Sequence, residues 1–466
     1  MNTLFVLVSM LSSINSPPVM YIGESFQLVE DQFADATFYA DNNCCIVTDS
    51  IINAVKPGYC TIYSQWFDGS SYHRNKKPMM IVNQFIILKS DDLTTTLTYP
   101  DQINPRWVNY VDYMLEHKIK ISCGVIGSRF DLGETSIEKS IQWLHSGYLE
   151  LFNHGWSHQS GTGEIPTVKS NDEYDLLFDD VDEKDTAWYE FLGPSYQIQL
   201  NHLNWCNQIV YEKLGYEVTT FGAPFNKADS ITARALEASG MKVWLFPKST
   251  SLLFNENRGG GEIETPTGTP NYVEFLNGYD EKWRCMVLQL HPGTSTFFDK
   301  WYEFEKILAF LQGQDITFIL PREYMELKLH GILPYNPQED TDSDGILDIM
   351  EGNQDSDEDT IPNFMDNNLD ICHSGDTNLN YKFELTELMR IIQFFNTSDS
   401  QYHCKNGTED GYICGVGDNS CKHHDIDSNA NWKVDLCELL RAIQLFNSNG
   451  YIYNQSSEEG DFFSTF

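Results

Sequence analysis

The chain reads as α/β: a closed or nearly closed (β/α) barrel, with a small β module before it and calcium-binding loops after it. Three observations carry this reading. Between residues 84 and 328 apolar strand-like runs alternate with helical stretches about seven times, the pattern of a parallel sheet wrapped by helices. Residues 20–83 show short alternating segments with turn punctuation. After residue 336, Asp and Asn recur at the spacing of cation-binding loops.

Composition sets the bounds. The 466 residues are too many for one small core. A formal charge of −38 excludes a broad nucleic-acid-binding surface, because a polyanion repels DNA and RNA. The acid is concentrated: from Gly331 to Tyr381 there is no Lys or Arg. Regular spacing makes cation binding, rather than a solvated tail, the expectation there. Residues 1–16 have the apolar centre of a signal peptide without its basic start, with Ser13 or Ser16 as fair cleavage positions. Cys404, Cys414, Cys421 and Cys437 cluster near the acidic loops, in the manner of a disulfide-bearing secreted protein with its pairing undetermined. A secreted or cell-surface location without a transmembrane segment follows as an expectation.

Along the chain, residues 20–83 alternate apolar and polar residues around a Pro57-Gly58 turn. This segment resembles an immunoglobulin-like β module, which implies a small β-sandwich. The barrel strands are expected at Phe85–Leu88, Ile119–Val125, Tyr148–Phe152, Val218–Phe221, Val243–Phe246, Met286–Leu290 and Ile316–Leu320. Helical runs include residues 104–118, 195–215 and 300–312. In such barrels chemistry gathers at the carboxyl ends of the strands. Asp91, Asp92, His154, Pro224 and His291 all fall there.

Asp91-Asp92 and the His-x-x-x-His pair His154/His158 are the parts of a hydrolytic metal site. No Glu follows His154, so this is not the zinc-protease motif and the base must come from elsewhere. Asp91 and Asp92 can supply both a base and a third ligand.

The order Ser90-Asp91-Asp92, His154-Gly155-Trp156-Ser157-His158, Phe221-Gly222-Ala223-Pro224-Phe225 and Leu288-Gln289-Leu290-His291-Pro292 is similar to the polysaccharide deacetylase (NodB-homology) family over residues 84–328. The resemblance implies a distorted (β/α) barrel of about seven strands. It implies Asp92, His154 and His158 as metal ligands, Asp91 as base and His291 as acid. The implied metal is Zn2+ or another divalent transition metal, cobalt and nickel included. Trp156, Pro224, Phe225 and the acidic stretch Ser170–Trp188 are candidates for lining a sugar groove, with a place in the core as the alternative for the aromatics. The implied activity is a metal-dependent hydrolase of C–N bonds other than peptide bonds. It would remove acetyl groups from an acetylated polysaccharide, N-acetyl ahead of O-acetyl. One departure stands out: the family's third motif places an Arg where this chain has Gly222, and that Arg holds the base. Lys89, just upstream, can substitute electrostatically. The family's Trp-containing motif has no clear counterpart beyond Trp244. The alternative reading is a catalytically impaired extracellular protein that binds carbohydrate or mediates adhesion in a calcium-dependent way.

In residues 336–370, Asp340, Asp342, Asp344, Asp348 and Glu351 match a twelve-residue calcium loop, with Asp355, Asp357, Asp359 and Asp366 as a looser copy. This stretch resembles thrombospondin type 3 calcium repeats. Residues 371–450 hold a loop–helix segment that recurs at a 51-residue offset, from Asp376 and again from Asp427. Asp376, Asn378, Asn380, Glu384 and Glu387 stand in its first copy, and Asp427, Asn429, Asn431, Asp435 and Glu438 in its second. Tyr381 and Trp432 replace the turn glycine. These EF-hand-like loop–helix pairs resemble dockerins, implying Ca2+ and a cohesin-like scaffold or cell-surface partner. The sequons at Asn396, Asn406 and Asn454 matter only in a glycosylating host.

Overall fold

The computed structural model describes residues 14–30, 36–67, 72–96, 101–162, 166–168, 176–178, 187–344, 346–356, 360–366, 373–377, 382–397, 401–405, 408, 410–415, 417–421, 423–448, 451–453 and 462–464. The signal-peptide expectation falls almost wholly outside them, as do most of Ser170–Trp188, the expected ligands Asp357, Asp359, Asn378 and Asn380, and the sequon residues Asn406 and Asn454.

Eight parallel strands form the central sheet among the described residues. They are β1 (Phe85–Leu93), β2 (Ile121–Val125), β3 (Leu149–Asn153), β4 (Thr220–Gly222), β5 (Val243–Leu245), β6 (Phe254–Glu256), β7 (Cys285–Leu290) and β8 (Thr317–Phe318). Their spatial order is β6-β5-β4-β3-β2-β1-β7. The short β8 pairs with Phe85 and Ile86 at the start of β1, and β2 takes over the same flank from Lys89 onward. Strands β2, β3 and β7 are buried at every residue, as expected of strands covered on both faces.

The sheet curls without closing into a continuous ladder. Between its edges the Val287 amide on β7 donates to the Arg258 carbonyl just beyond β6, at 3.0 Å. This approach requires glycine at 259, whose φ is +72° and where a Cβ would lie 3.2 Å from the Met286 Cα. Strand β6 is the one the sequence does not announce: Phe-Asn-Glu is too short and too polar for a periodic signal.

The principal helices around the sheet are α1 (Pro105–Glu116), α2 (Glu134–His145), α3 (Tyr196–Leu214), α4 (Ser230–Ala238), α5 (Trp301–Gln312) and α6 (Pro321–His330). Helix α1 shows why they form. Asn104 caps it by accepting the Arg106 amide, Pro105 opens it, and Trp107, Tyr110, Val111 and Met114 make one buried stripe. That stripe joins Leu88, Ile121, Leu151, Leu290 and Phe304 in the largest core. No described helix is long and apolar enough to cross a membrane.

Before the barrel, a four-stranded sheet (Val19–Tyr21, Tyr72–Val82, Gly58–Phe67, Thr37–Ala40) faces a three-stranded one (Ser25–Gln27, Ile51–Ala54, Cys45–Thr48). Met20, Ile52, Cys60, Ile62, Met79 and Ile81 fill the space between them. Strand alternation joins this module to the barrel: Met79 and Ile81 point into the module, while Met80 and Val82 pack with Phe85, Ile87, Ile319 and Leu327.

After the barrel, helices α7 (Leu385–Phe395) and α8 (Leu436–Asn447) pack through Leu388, Ile391, Phe394, Ala442 and Leu445. Cys404 and Cys421 are disulfide-bonded, whereas Cys414 and Cys437 are free.

Candidate active site

Two adjacent residues of a regular strand face opposite sides of a sheet. Asp91 and Asp92 nevertheless serve one site, because β1 bulges there. Ser90 pairs with Cys123 and Leu93 with Val125, so the register slips by one residue across the two acids. Asp92 takes φ +72° and its carbonyl is held by the Trp107 indole at 2.9 Å. Other left-handed non-glycine residues, His158, Phe225, Asn226 and Phe246, lie nearby. Backbone strain of this kind collects at functional sites.

His154 follows β3, and its Nδ1 donates to the Gly222 carbonyl at 2.6 Å. That bond orients the ring so that Nε2 faces Asp92. His154 Nε2 and His158 Nε2 lie 3.3 and 3.0 Å from Asp92 Oδ1. This oxygen is buried and has no hydrogen-bond partner of acceptable geometry among the described residues. Two imidazole nitrogens and a carboxylate oxygen converging within 4.8 Å of one another form a donor set suited to a divalent transition metal. Burial opposes the charge on Asp92, yet the two imidazoles hold its carboxyl well below its ordinary value.

Asp91 is the deeper acid, 1 % exposed. Lys89, fully buried, brings Nζ to 2.5 and 2.6 Å from its two oxygens. Gln289 Nε2 donates to Oδ2 at 2.5 Å. A Cβ at position 222 would lie 2.7 Å from Lys89 Cε and 3.4 Å from Nζ. The space that a side chain at 222 would enter is therefore filled by Lys89, and the cation beside Asp91 arrives from the acid's own strand. Burial works against the Asp91 anion, but Lys89, His154 and His291 more than offset it and keep the carboxyl below its ordinary value.

His291, just beyond β7, puts Nε2 3.8 Å from Asp91 Oδ2. Its Nδ1 donates to Glu264 Oε2 at 2.7 Å, and its amide to Oε1 at 2.5 Å. Burial alone would depress its pKa; Glu264 and Asp91 raise it above the ordinary value. Sequence reasoning missed Glu264 and Gln289, which approach through space without local spacing to mark them. It also missed Glu190, which accepts the amides of Trp156, Ser157 and His158.

These groups open into a groove of about 740 Å³ lined by Asp92, His158, Tyr189, Phe225, Arg258 and His291, among others. Phe225 is 42 % exposed, with its ring 4.4 Å from that of His158. Pro224 is buried beneath it. Trp156 is not on the groove wall: it packs on Trp205 and over Gly127, toward α3. Trp244 is fully buried beside Phe221 in a core cluster.

In the acidic segment, Asp340, Asp342 and Asp344 bring carboxylate oxygens within 4.8 Å of one another. Glu351 is 6 % exposed, and neither of its oxygens has a hydrogen-bond partner among the described residues. Burial and the surrounding aspartates push its carboxyl up to about 10, and Asp342 up to about 7. Asp348, expected as a ligand, instead accepts the amide and hydroxyl of Thr341. Farther on, Glu387 accepts the Glu384 amide and Glu438 the Asp435 amide, each as part of a helix cap, and Glu387 also accepts the Thr377 amide. Asp427 accepts from Asn431, Trp432 and the Tyr402 hydroxyl. Asp366 and Asp376 are buried, and Asp355 accepts the Thr360 amide.

No curated protein sequence matches the chain. Among solved structures, the Xyl-CE4 domain of a multidomain xylanase from the hindgut metagenome of Trinervitermes trinervoides is 14 % identical, covering 53 % of this chain and 91 % of that one, with a TM-score of 0.35. A family 4 acetyl xylan esterase from Clostridium thermocellum, in complex with a cobalt ion, is 14 % identical over 54 % of this chain and 93 % of its own, with a TM-score of 0.35. A CE4 family pseudoenzyme from Bacillus anthracis is 10 % identical over 60 % and 86 %, with a TM-score of 0.34. The polysaccharide deacetylase family model matches residues 89–244, the stretch that carries Lys89, Asp91, Asp92, His154, His158 and Gly222.

Proposed function

We propose that this protein is a metal-dependent carbohydrate deacetylase that removes acetyl groups, N-acetyl ahead of O-acetyl, from a polysaccharide outside the cell. The observation that carries the reading is the convergence of Asp91, Asp92, His154, His158 and His291 within one cluster, whose Asp92, His158 and His291 line the groove. When bound by Asp92, His154 and His158, a divalent metal supplies a Lewis acid for a carbonyl oxygen and lowers the pKa of water. Asp91, kept anionic by Lys89, takes a proton from the attacking water. His291, kept protonated by Glu264, returns a proton to the departing amine or alkoxide. Arg258 fixes Gln289 by a hydrogen bond to its side-chain oxygen, and Gln289 in turn holds Asp91. Phe225 offers an apolar face on which a sugar ring can stack.

Calcium belongs to the same proposal. Asp340, Asp342, Asp344 and Glu351 are hard oxygen donors, and the two orphaned oxygens of Glu351 fit a bidentate ligand. We assign the loops at Asp376 and Asp427 to calcium on spacing alone, with α7 and α8 as the face for a scaffold or surface partner.

The test is acetate release by zinc-loaded protein from chitin oligomers, acetylated xylan and peptidoglycan, beside Asp91→Asn. Release that Asp91→Asn lacks supports the proposal and names the substrate. Zinc bound at one per chain with no release from any of them favours the carbohydrate-binding alternative.

A further inference from the structure

We infer that Glu190 is a positioning residue: its carboxylate, locked by His202, sets the loop that delivers His158 to the metal site. The inference rests on the reading of Asp92, His154 and His158 as that site. Glu190 Oε1 accepts the amides of Trp156 at 2.6 Å and Ser157 at 3.0 Å, and Oε2 accepts the amide of His158 at 2.6 Å. His202, from α3, donates Nδ1 to Oε1 at 2.7 Å. Three donors thus converge on Oε1 and one on Oε2, so the carboxylate takes four hydrogen bonds in all. Glu190 is 2 % exposed and His202 4 %, so water does not compete for these bonds.

Three successive amides pointing to one spot make an anion-binding concavity. Here the loop is turned by Gly155 at φ +83° and by His158 at φ +52°. Remove the anion and three half-buried N–H groups lose their acceptor together, each at a cost. Because one of them belongs to His158 itself, any shift of the Glu190 carboxylate moves the backbone of a metal ligand. The sequence between them makes the same point. Ser160–Thr162 pairs with Ala187–Tyr189, and the Glu190 amide donates to the Gln159 carbonyl at 3.0 Å. His158 and its clamp thus sit at the two feet of one hairpin. Gly155 fits the same logic: a Cβ there would lie 2.7 Å from Glu190 Oε2.

The experiment is titration of metal-free protein with Co2+, read by its visible absorption. Glu190→Gln places an amide NH2 against one of the donors it must accept. It is expected to weaken cobalt binding about 10–100-fold and to change the spectrum. Gly155→Ala, which pushes on the carboxylate from the other side, and His202→Ala, which removes one donor, are expected to act in the same direction by about 10-fold or more. Val210→Ala, a core truncation farther along α3, lowers thermal stability but keeps the cobalt affinity and spectrum of the wild type. Wild-type affinity and spectrum in Glu190→Gln overturn the inference. If that variant does not fold, wild-type binding in both Gly155→Ala and His202→Ala overturns it equally. A wild-type protein that takes up no cobalt removes the metal reading itself, and the clamp with it.

Discussion

Lys89→Met removes the buried cation beside Asp91 while keeping an unbranched side chain of similar volume. In the native structure Lys89 Nζ contacts both Asp91 oxygens at 2.5 and 2.6 Å, and neither side chain is more than 1 % exposed. Phe152 and Phe246 flank the ammonium at 5.4 and 5.3 Å, so nearby water cannot replace it. Truncating one partner of a buried pair costs roughly 3–5 kcal/mol, because a charge is left uncompensated. Gln289 remains as a neutral donor to Asp91, but that bond is already present in the native site and offsets little of the loss. The remainder is relieved when Asp91 takes up a proton, and a protonated Asp91 is no base. General-base assistance is worth roughly 10²–10⁴ in rate. The variant is therefore expected to lose about that factor in kcat near neutral pH and to regain activity as pH rises. Acetate release on the best substrate, measured across pH with thermal unfolding in parallel, checks this. Gly222→Arg combined with Lys89→Ala returns a cation from the other strand and is expected to restore part of the loss. Activity within about threefold of wild type, with an unchanged pH profile, would refute the role given to Lys89.

Three further outcomes follow from the geometry. The alkaline limb of activity reflects His291, whose raised pKa keeps it protonated until pH passes that value. Glu264→Gln removes a raising charge, so the limb should move to lower pH, as a pH–rate profile will show. In EGTA, Glu351 carries a carboxyl raised from 4.5 to about 10. The folded state then binds more protons than the unfolded one, so stability should fall as pH rises through that window. With calcium about 100-fold above its Kd, folding gains about 2.7 kcal/mol and the melting temperature should become nearly independent of pH; Glu351→Gln should lose most of the calcium effect. Phe225→Ala, which deletes the exposed ring beside His158, should raise KM about tenfold for a one-ring loss of about 1.4 kcal/mol, with kcat little changed.

The sheet was legible because its long strands are buried on both faces and so read as continuous apolar runs; β6 was not, because three half-polar residues carry no period. Asp91-Asp92 and His154/His158 were legible because each is a pair of reactive side chains close together along the chain. Lys89 was legible as well: residues two apart share a strand face, so it meets Asp91 directly. Asp92 joins them only through the bulge, which no sequence pattern marks. Glu190, Glu264 and Gln289 were invisible because their partners lie on other segments and only the folded chain brings them together. Trp156 reads from the sequence as either groove wall or core, and in the fold its ring packs on Trp205. Asp348 fits the calcium spacing, yet Thr341 satisfies it locally.

The most direct test of the account is X-ray absorption at the zinc edge of protein refolded with one equivalent of zinc. The account predicts one tightly held zinc with two imidazole nitrogens and carboxylate oxygen among its ligands, and loss of one imidazole in His158→Ala. Zinc that binds substoichiometrically, or with the same environment in His154→Ala and His158→Ala, would contradict it.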